Sequence, residues 1–229
     1  MMTMTILTEH VDGAACRPLL HLMAWLSPAF PTGGFAYSHG LEWAVEAGDI
    51  KDGDTLRAWV ADVLAHGSGR SDAVLLRQAH RASFDLDTLG DIVSLATAVA
   101  PARERQDEAL YQGRAFLLAV TPWLGTALPP DMPYAVAVGA AAGRAAVPED
   151  AAAAAYLQAF ASNLISAAVR LVPLGQTTGL RVLAALEDTI VAMAEATRGA
   201  TLDDVGGCAF RSDLAAMRHE TQYTRLFRS

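Results

Sequence analysis

Lysine is almost absent from this chain of 229 residues, in which Lys51 is the single example. A phosphate-binding P-loop needs the pattern G-x-x-x-x-G-K-[ST], because its lysine neutralises phosphate oxygens. Lys51 stands in the tetrapeptide IKDG, outside any such pattern, which excludes a P-loop GTPase or ATPase. Gly33 and Gly34 do not meet the G-x-G-x-x-G spacing of a dinucleotide site either, so we interpret them as turn residues.

Clustered cysteine and histidine are also lacking. Cys16 and Cys208 form no C-x-x-C motif, and the six histidines include no i, i+4 pair. Disulfide frameworks and zinc sites need such clusters, so we expect two reduced thiols and no intrinsic cofactor or metal. Ser38 and His39 are adjacent, but consecutive helical residues point about 100° apart. We interpret Ser38 as a helix-capping residue and not as a nucleophile.

Positive charge is in deficit, since the net charge is -8 and the isoelectric point is about 5.1. Such a chain repels phosphate backbones, which argues against nucleic acid as a partner. No segment approaches the roughly 20 uninterrupted apolar residues of a membrane span, and the first residues lack the basic and apolar regions of a signal peptide. We expect a soluble, cytoplasmic protein with no membrane partner.

Apolar residues recur at helical spacing through most of the chain, and no sustained alternation indicates a strand. The sequence predicts an all-α fold: a compact helical domain of about eight to ten helices over residues 18–198. Residues 1–17 are expected to form a flexible N-terminal extension, and residues 199–229 a C-terminal, partner-binding tail. Predicted helices cover about 52–66, 72–82, 85–100, 102–120, 134–146, 148–171 and 176–197, with a proline-rich loop over 121–133.

Two segments have the composition of contact surfaces. The loop and helix over residues 28–48 contain Phe35, Tyr37, Leu41 and Trp43 but no recognisable catalytic group. The end of the tail concentrates arginine and aromatic residues in an otherwise acidic chain, which is typical of binding hot spots. We keep His219 and Glu220 as a candidate pair there, with solvated side chains as the alternative.

A charged run, Arg103 to Glu108, begins the predicted fourth helix. Such runs are usually a solvated face, within which Arg105 and Glu108 form a favourable i, i+3 pair. A partner-facing role is the alternative, because arginine is favoured at interfaces.

Four features together resemble the UreF family of urease accessory proteins. They are the block SPAFPTGGFAYSHGLEWAVEAG from Ser27, the PLGQTTG block over residues 173–179, the spacing between these two blocks, and the closing MRHETQYTRLFRS. The resemblance covers the chain from about Leu19 onward. It departs from the family in the Arg103 to Glu108 region, which is a shortened variant, and over residues 1–17.

The resemblance implies an all-α, often dimeric protein that is not an enzyme. Members of the family form a complex with UreD (also called UreH) and the GTPase UreG. This complex acts on apo-urease and supports nickel insertion and lysine carbamylation. Nickel and GTP would then be handled by partner proteins, which agrees with the lack of lysine.

The resemblance also assigns two sets of partner-binding residues. The tail set, expected to face UreD and to become ordered on binding it, comprises Arg218, His219, Glu220, Tyr223, Arg225, Leu226 and Phe227. The second set, expected to face the dimer partner or UreG, comprises Pro31, Gly34, Phe35, Tyr37, Ser38, Gly40, Glu42, Gly175 and Gln176. Deletion of the residues after Met217 is predicted to leave a folded protein that neither binds UreD nor activates urease.

Two alternatives stay open at this point. One is an all-α enzyme with a pocket lined by Glu42, His80 or Gln176, which would show activity without partners. The other is a helical scaffold unrelated to nickel. Co-expression with urease and the other accessory proteins, with and without this chain, separates the three.

Overall fold

A computed structural model describes residues 13–229, with side chains from residue 16. The expected N-terminal extension lies largely outside these residues. The described part contains eleven α-helices, two short 3₁₀ turns and no strand, which confirms the all-α prediction. The helices are α1 (Gly13–Trp25), α2 (Leu41–Glu46), α3 (Gly53–His66), α4 (Ser68–Arg81), α5 (Leu86–Ala98), α6 (Arg103–Leu124), α7 (Tyr134–Arg144), α8 (Glu149–Leu171), α9 (Gly175–Ala184), α10 (Glu187–Ala196) and α11 (Phe210–His219).

Helix α8 is the centre of the fold, and α2, α3, α4, α7, α9 and α10 all contact it. Among the described helices, α8 is the one long and apolar enough to cross a membrane, but more than half of its apolar window is buried inside the protein. The helix starts after Pro148 and ends at Leu171, before Val172 and Pro173, which the sequence predicts to terminate it. Two alanines at its start, Ala152 and Ala153, are fully buried.

Helices α4 and α7 cross at unusually short range. A Cβ atom on Gly139 would lie 2.1 Å from the carbonyl oxygen of Leu76, and one on Gly143 would lie 2.4 Å from that of His80. Only glycine fits at these two positions, so small residues on α7 set the distance between the helices.

Several boundaries differ from the sequence prediction. Helix α4 begins at Ser68, so Asp72 lies inside the helix and not at its cap. Helix α6 continues through Pro122, because a proline near the helix end removes a single hydrogen bond and this one lies on an exposed face.

The segment predicted as one helix over 176–197 is two helices, α9 and α10. Leu186 precedes α10, whose first turn carries Glu187 and Asp188. These carboxylates favour the positive end of a new helix dipole. Apolar spacing alone did not indicate the break between α9 and α10.

Candidate protein-binding site

The C-terminal residues pack against the body of the protein. Helix α11 contacts α2 and α6, and the chain then returns to the block that begins at Ser27. There the backbone N–H of Arg228 donates to the carbonyl of Ala36 at 2.8 Å, and that of Ser38 donates to the carbonyl of Ser229 at 2.6 Å. The structure therefore brings part of the tail set, namely His219, Leu226 and Phe227, beside part of the second set.

Gly40 makes the close approach of α2 and α11 possible. Its φ of +73° is a left-handed conformation that favours glycine. A Cβ atom there would lie 2.4 Å from the backbone nitrogen of Ala216. Gly40 therefore provides the left-handed backbone conformation before α2 and leaves space for the backbone of α11.

His219 is fully buried between two carboxylates. Its Nδ1 lies 2.6 Å from Glu104 Oε2, and its Nε2 lies 3.3 Å from Glu42 Oε2. Glu42 also accepts hydrogen bonds from the backbone N–H groups of Leu226, at 2.7 Å, and Phe227, at 3.0 Å. The alternative of a solvated side chain is therefore wrong for His219, which fastens α11 to α2 and α6.

Glu220 extends the attachment to the start of α6. Its Oε1 accepts hydrogen bonds from the backbone N–H groups of Arg103, at 2.8 Å, and Glu104, at 3.3 Å. Helix N-termini leave such donors unsatisfied and favour negative charge. A residue of the tail set thus caps a helix 116 or 117 positions earlier in the chain.

Glu108 is a second buried anchor, 1% exposed. It accepts hydrogen bonds from Arg105, from Gln112 Nε2 at 2.9 Å and from Ser229 Oγ at 2.5 Å. Burial disfavours its charge, but Arg105, His39 and Ser229 outweigh that effect and hold the pKa of Glu108 at about 2. The predicted pair of Arg105 and Glu108 is confirmed, whereas the solvated-face interpretation is wrong for Glu108.

An apolar stripe on α11 faces away from the body. Phe210, Leu214 and Met217 are exposed by 69%, 41% and 49%, and their i, i+4, i+7 spacing places them on one helix face. Tyr223 and Leu226 add exposed apolar surface farther along the chain. We call Phe210, Leu214 and Met217 the α11 stripe.

Two exposed members of the second set, Pro31 and Phe35, belong to a segment beside a groove between α1 and α8. A Cβ atom on Gly34 would lie 3.4 Å from Asn163 Nδ2, and Asn163 lines the groove together with Leu19, Met23 and several α8 alanines. Here the block beginning at Ser27 adjoins an exposed apolar surface.

Gly175 and Gln176 are at a different place, the start of α9. Gly175 has a φ of +71°, and Gln176 is exposed. Over residues 16–229 the side chain of Gln176 forms no hydrogen bond with the other nominated residues. The second set is therefore divided between two regions of the surface.

The residues offered for an enzymatic pocket do not converge. Glu42 binds the tail backbone, and His80 Nε2 contacts the carbonyl of Val147 at 2.8 Å. Gln176 lies on the surface. Within the described part of the chain no group of three or more histidine, cysteine or acidic residues is arranged to hold a metal ion.

Comparison with known proteins identifies the family. The UreF family model matches residues 50–187. A urease accessory protein UreF from Bradyrhizobium sp. (strain ORS 278) is 51% identical over 226 residues, covering 95% of this chain and 94% of that relative. The chain belongs to the UreF family. A UreF from Cereibacter sphaeroides is 53% identical over 211 residues, covering 92% of this chain and 98% of that relative.

The family model covers only part of the nominated residues, whereas the match to individual UreF proteins covers nearly all of the chain. Gly175 and Gln176 lie inside residues 50–187, whereas the first block and the α11 stripe lie outside them. A Rhodopseudomonas palustris UreF matches over 229 residues and covers 96% of this chain at 51% identity. The similarity to UreF proteins therefore extends over nearly all of the chain, beyond the family model.

Sequence reasoning missed the α11 stripe and the anchoring carboxylates Glu104 and Glu108. The sequence did indicate the stripe, because Phe210, Leu214 and Met217 are spaced by four and three residues, as on one face of a helix. The anchoring role of the two carboxylates had no signal in the sequence, because the C-terminal residues that they bind are 115 to 121 positions away in the chain.

Proposed function

We propose that this chain is a urease accessory protein: a non-enzymatic, cytoplasmic adaptor that joins UreD and the GTPase UreG and supports nickel insertion and lysine carbamylation in apo-urease. Membership of the UreF family and the exposed α11 stripe support this proposal. Nickel is cargo in this scheme, and nickel and GTP are handled by the partners.

The α11 stripe supports a protein partner on the C-terminal side. Exposed apolar side chains that lie on one helix face can enter a groove of another protein. Arg218 follows Met217 in the last turn of α11 and is exposed, and arginine together with aromatic residues is favoured in binding hot spots. We assign this face to UreD.

The groove between α1 and α8 supports a second contact. Leu19, Leu20 and Met23 expose more than half of their surface. Alanines at 151, 154, 155 and 159 line the facing side, so a partner helix could approach closely. We assign this groove and the adjoining Pro31 to Phe35 segment to the homodimer, and the start of α9 with Gly175 and Gln176 to UreG.

The contacts of the docked segment suggest how binding at one surface influences another. Glu108 contacts both the C-terminal Ser229 and His39 of the first block. Differential binding of partners to two arrangements of these contacts is sufficient for coupling. The nucleotide state of UreG could thereby be communicated to UreD and urease.

Co-expression tests this function. Urease subunits, UreD and UreG are produced in nickel-supplemented cells with this chain, without it, or with a Leu86→Ser/Leu118→Ser control altered on exposed positions of α5 and α6. We expect active, nickel-loaded urease with the chain and with the control, and little activity without the chain. Equal urease activity and nickel content with and without the chain would reject the adaptor function.

A further inference from the structure

A cavity of about 150 Å³ lies between α4, α6, α7 and α8. Leu75, Tyr134, Phe160 and Leu164 supply apolar and aromatic walls. A dry cavity of this volume in another protein holds benzene, so there is room for a ligand of about six non-hydrogen atoms. The α11 stripe does not line this cavity.

Carboxyl groups outnumber cationic groups along the wall. Asp72, Glu108 and Asp213 line the cavity with a single guanidinium, that of Arg105. Arg105 pairs with Glu108. Burial and the charge of Arg105 lower the pKa of His39, which favours its neutral form. Among the side chains of residues 16–229, no cationic group therefore forms an ion pair with Asp72 or Asp213.

Asp72 is the group best placed to meet a ligand. Tyr156 donates a hydrogen bond to its Oδ2 at 2.7 Å, and its Oδ1 receives none from residues 16–229. Burial raises the pKa of Asp72 to about 6, against the opposing effects of Tyr156 and Arg105. Asp72 is half-buried, so this second oxygen is accessible to a ligand, and an ionised donor would form a stronger hydrogen bond with it than a neutral donor would.

We propose that this cavity binds a primary ammonium group on a short aliphatic stem, with the ammonium at Asp72 and the stem along Tyr134, Phe160 and Leu164. The ring faces of the aromatic residues add a favourable interaction with a cation. The ammonium belongs either to a free small amine or to a lysine side chain of another protein. This inference is independent of the proposed role in urease maturation.

Titration of the full chain with n-butylammonium at pH 7.5, followed by calorimetry or ligand-observed NMR, tests the site. We expect saturable binding, with n-butanol at least tenfold weaker because it carries no charge. Asp72→Asn should weaken n-butylammonium at least tenfold, since the variant keeps an acceptor for Tyr156 but loses the charge. The matched control Asp62→Asn, on an exposed position of α3, should bind as the unaltered chain does.

The pH dependence of n-butylammonium affinity, measured with the unaltered chain, is a second test that needs no variant. Below a pKa of about 6 Asp72 gains a proton, and one unit below that value roughly a tenth of the carboxyl stays ionised. The facing Glu108 stays ionised, because its pKa is about 2, and burial raises the pKa of Tyr156, which stays neutral. We therefore expect affinity to fall about tenfold between pH 7.5 and pH 5.

A lysine-containing peptide and its Nε-acetylated form distinguish the two sources. If n-butylammonium and the unmodified peptide bind and the acetylated peptide does not, the site accepts a lysine side chain. If n-butylammonium binds and neither peptide does, the site is assigned to a free amine. The proposal is overturned if n-butylammonium does not saturate, if n-butanol binds equally well, or if folded Asp72→Asn binds normally. It is also overturned if affinity is constant from pH 7.5 to pH 5, a measurement that decides the question should Asp72→Asn fail to fold.

Discussion

Single residues fix how the C-terminal segment meets the rest of the protein. Gly40 allows contact between α2 and α11 because it has no Cβ, and His219 lies between Glu42 and Glu104. Polar contacts between residues this far apart produce no apolar periodicity in the sequence from which they could be predicted. The family resemblance therefore nominated Gly40, Glu42 and His219, but it did not predict their contacts with one another or with Glu104.

Gly40→Ala tests the close approach of α2 and α11. The new Cβ would meet the backbone of Ala216 and would also impose strain at a φ of +73°. We expect the free energy of unfolding to fall by about 3 kcal/mol, measured by urea denaturation. Gly48→Ala is the matched control, because Gly48 has a φ of +80° but no atom within 4 Å of the added Cβ.

The control should lose about 1 kcal/mol, which is the conformational cost alone. Equal losses for Gly40→Ala and Gly48→Ala would show that contact with α11 contributes nothing to the requirement for glycine.

At the scale of elements, the start of α3 shows what sequence could predict. Asp52 accepts a hydrogen bond from the backbone N–H of Thr55 at 2.9 Å, as expected of a cap. The apolar spacing of Leu56 to Leu64 is buried as predicted. Local signals of this kind specify helix ends, and most helices were found from them.

Docking of α11 could not be predicted from local signals, because long-range polar contacts hold it in place. Glu42, Glu104 and Glu108 accept hydrogen bonds from residues far along the chain. The segment has few core-type side chains, so apolar spacing indicated a tail. Its outer face was missed for the same reason, although Phe210, Leu214 and Met217 are regularly spaced.

His219→Ala tests whether these contacts hold α11 in place. Loss of the imidazole leaves Glu42 and Glu104 facing each other without the group between them, and like charges in a buried site repel. We expect backbone amides of residues 210–228 to exchange roughly 30-fold faster with deuterium, equivalent to about 2 kcal/mol of local stability.

His66→Ala, on an exposed position of α3, is the control and should leave this exchange unchanged. Unaltered exchange in His219→Ala would mean that the docking of α11 does not depend on the buried histidine.

At the scale of the whole molecule, family membership and fold agree. The UreF model match and the all-α architecture support one account: a helical body that carries a docked C-terminal segment with an exposed apolar face. The resemblance in the first and last blocks identified the family from sequence alone. The contacts between those two blocks required the structure, because spatial proximity of distant segments leaves no pattern in a single sequence.

Affinity capture of UreD tests the central claim most directly. Tagged UreD is co-expressed with the unaltered chain, with the α11-stripe variant Phe210→Ser/Leu214→Ser/Met217→Ser, or with the Leu86→Ser/Leu118→Ser control. Because the stripe is exposed and outside the core, we expect all three chains to fold, which circular dichroism checks. The account predicts that UreD retains the unaltered chain and the control and loses the stripe variant by at least tenfold. Retention of the folded stripe variant at the level of the unaltered chain would contradict it.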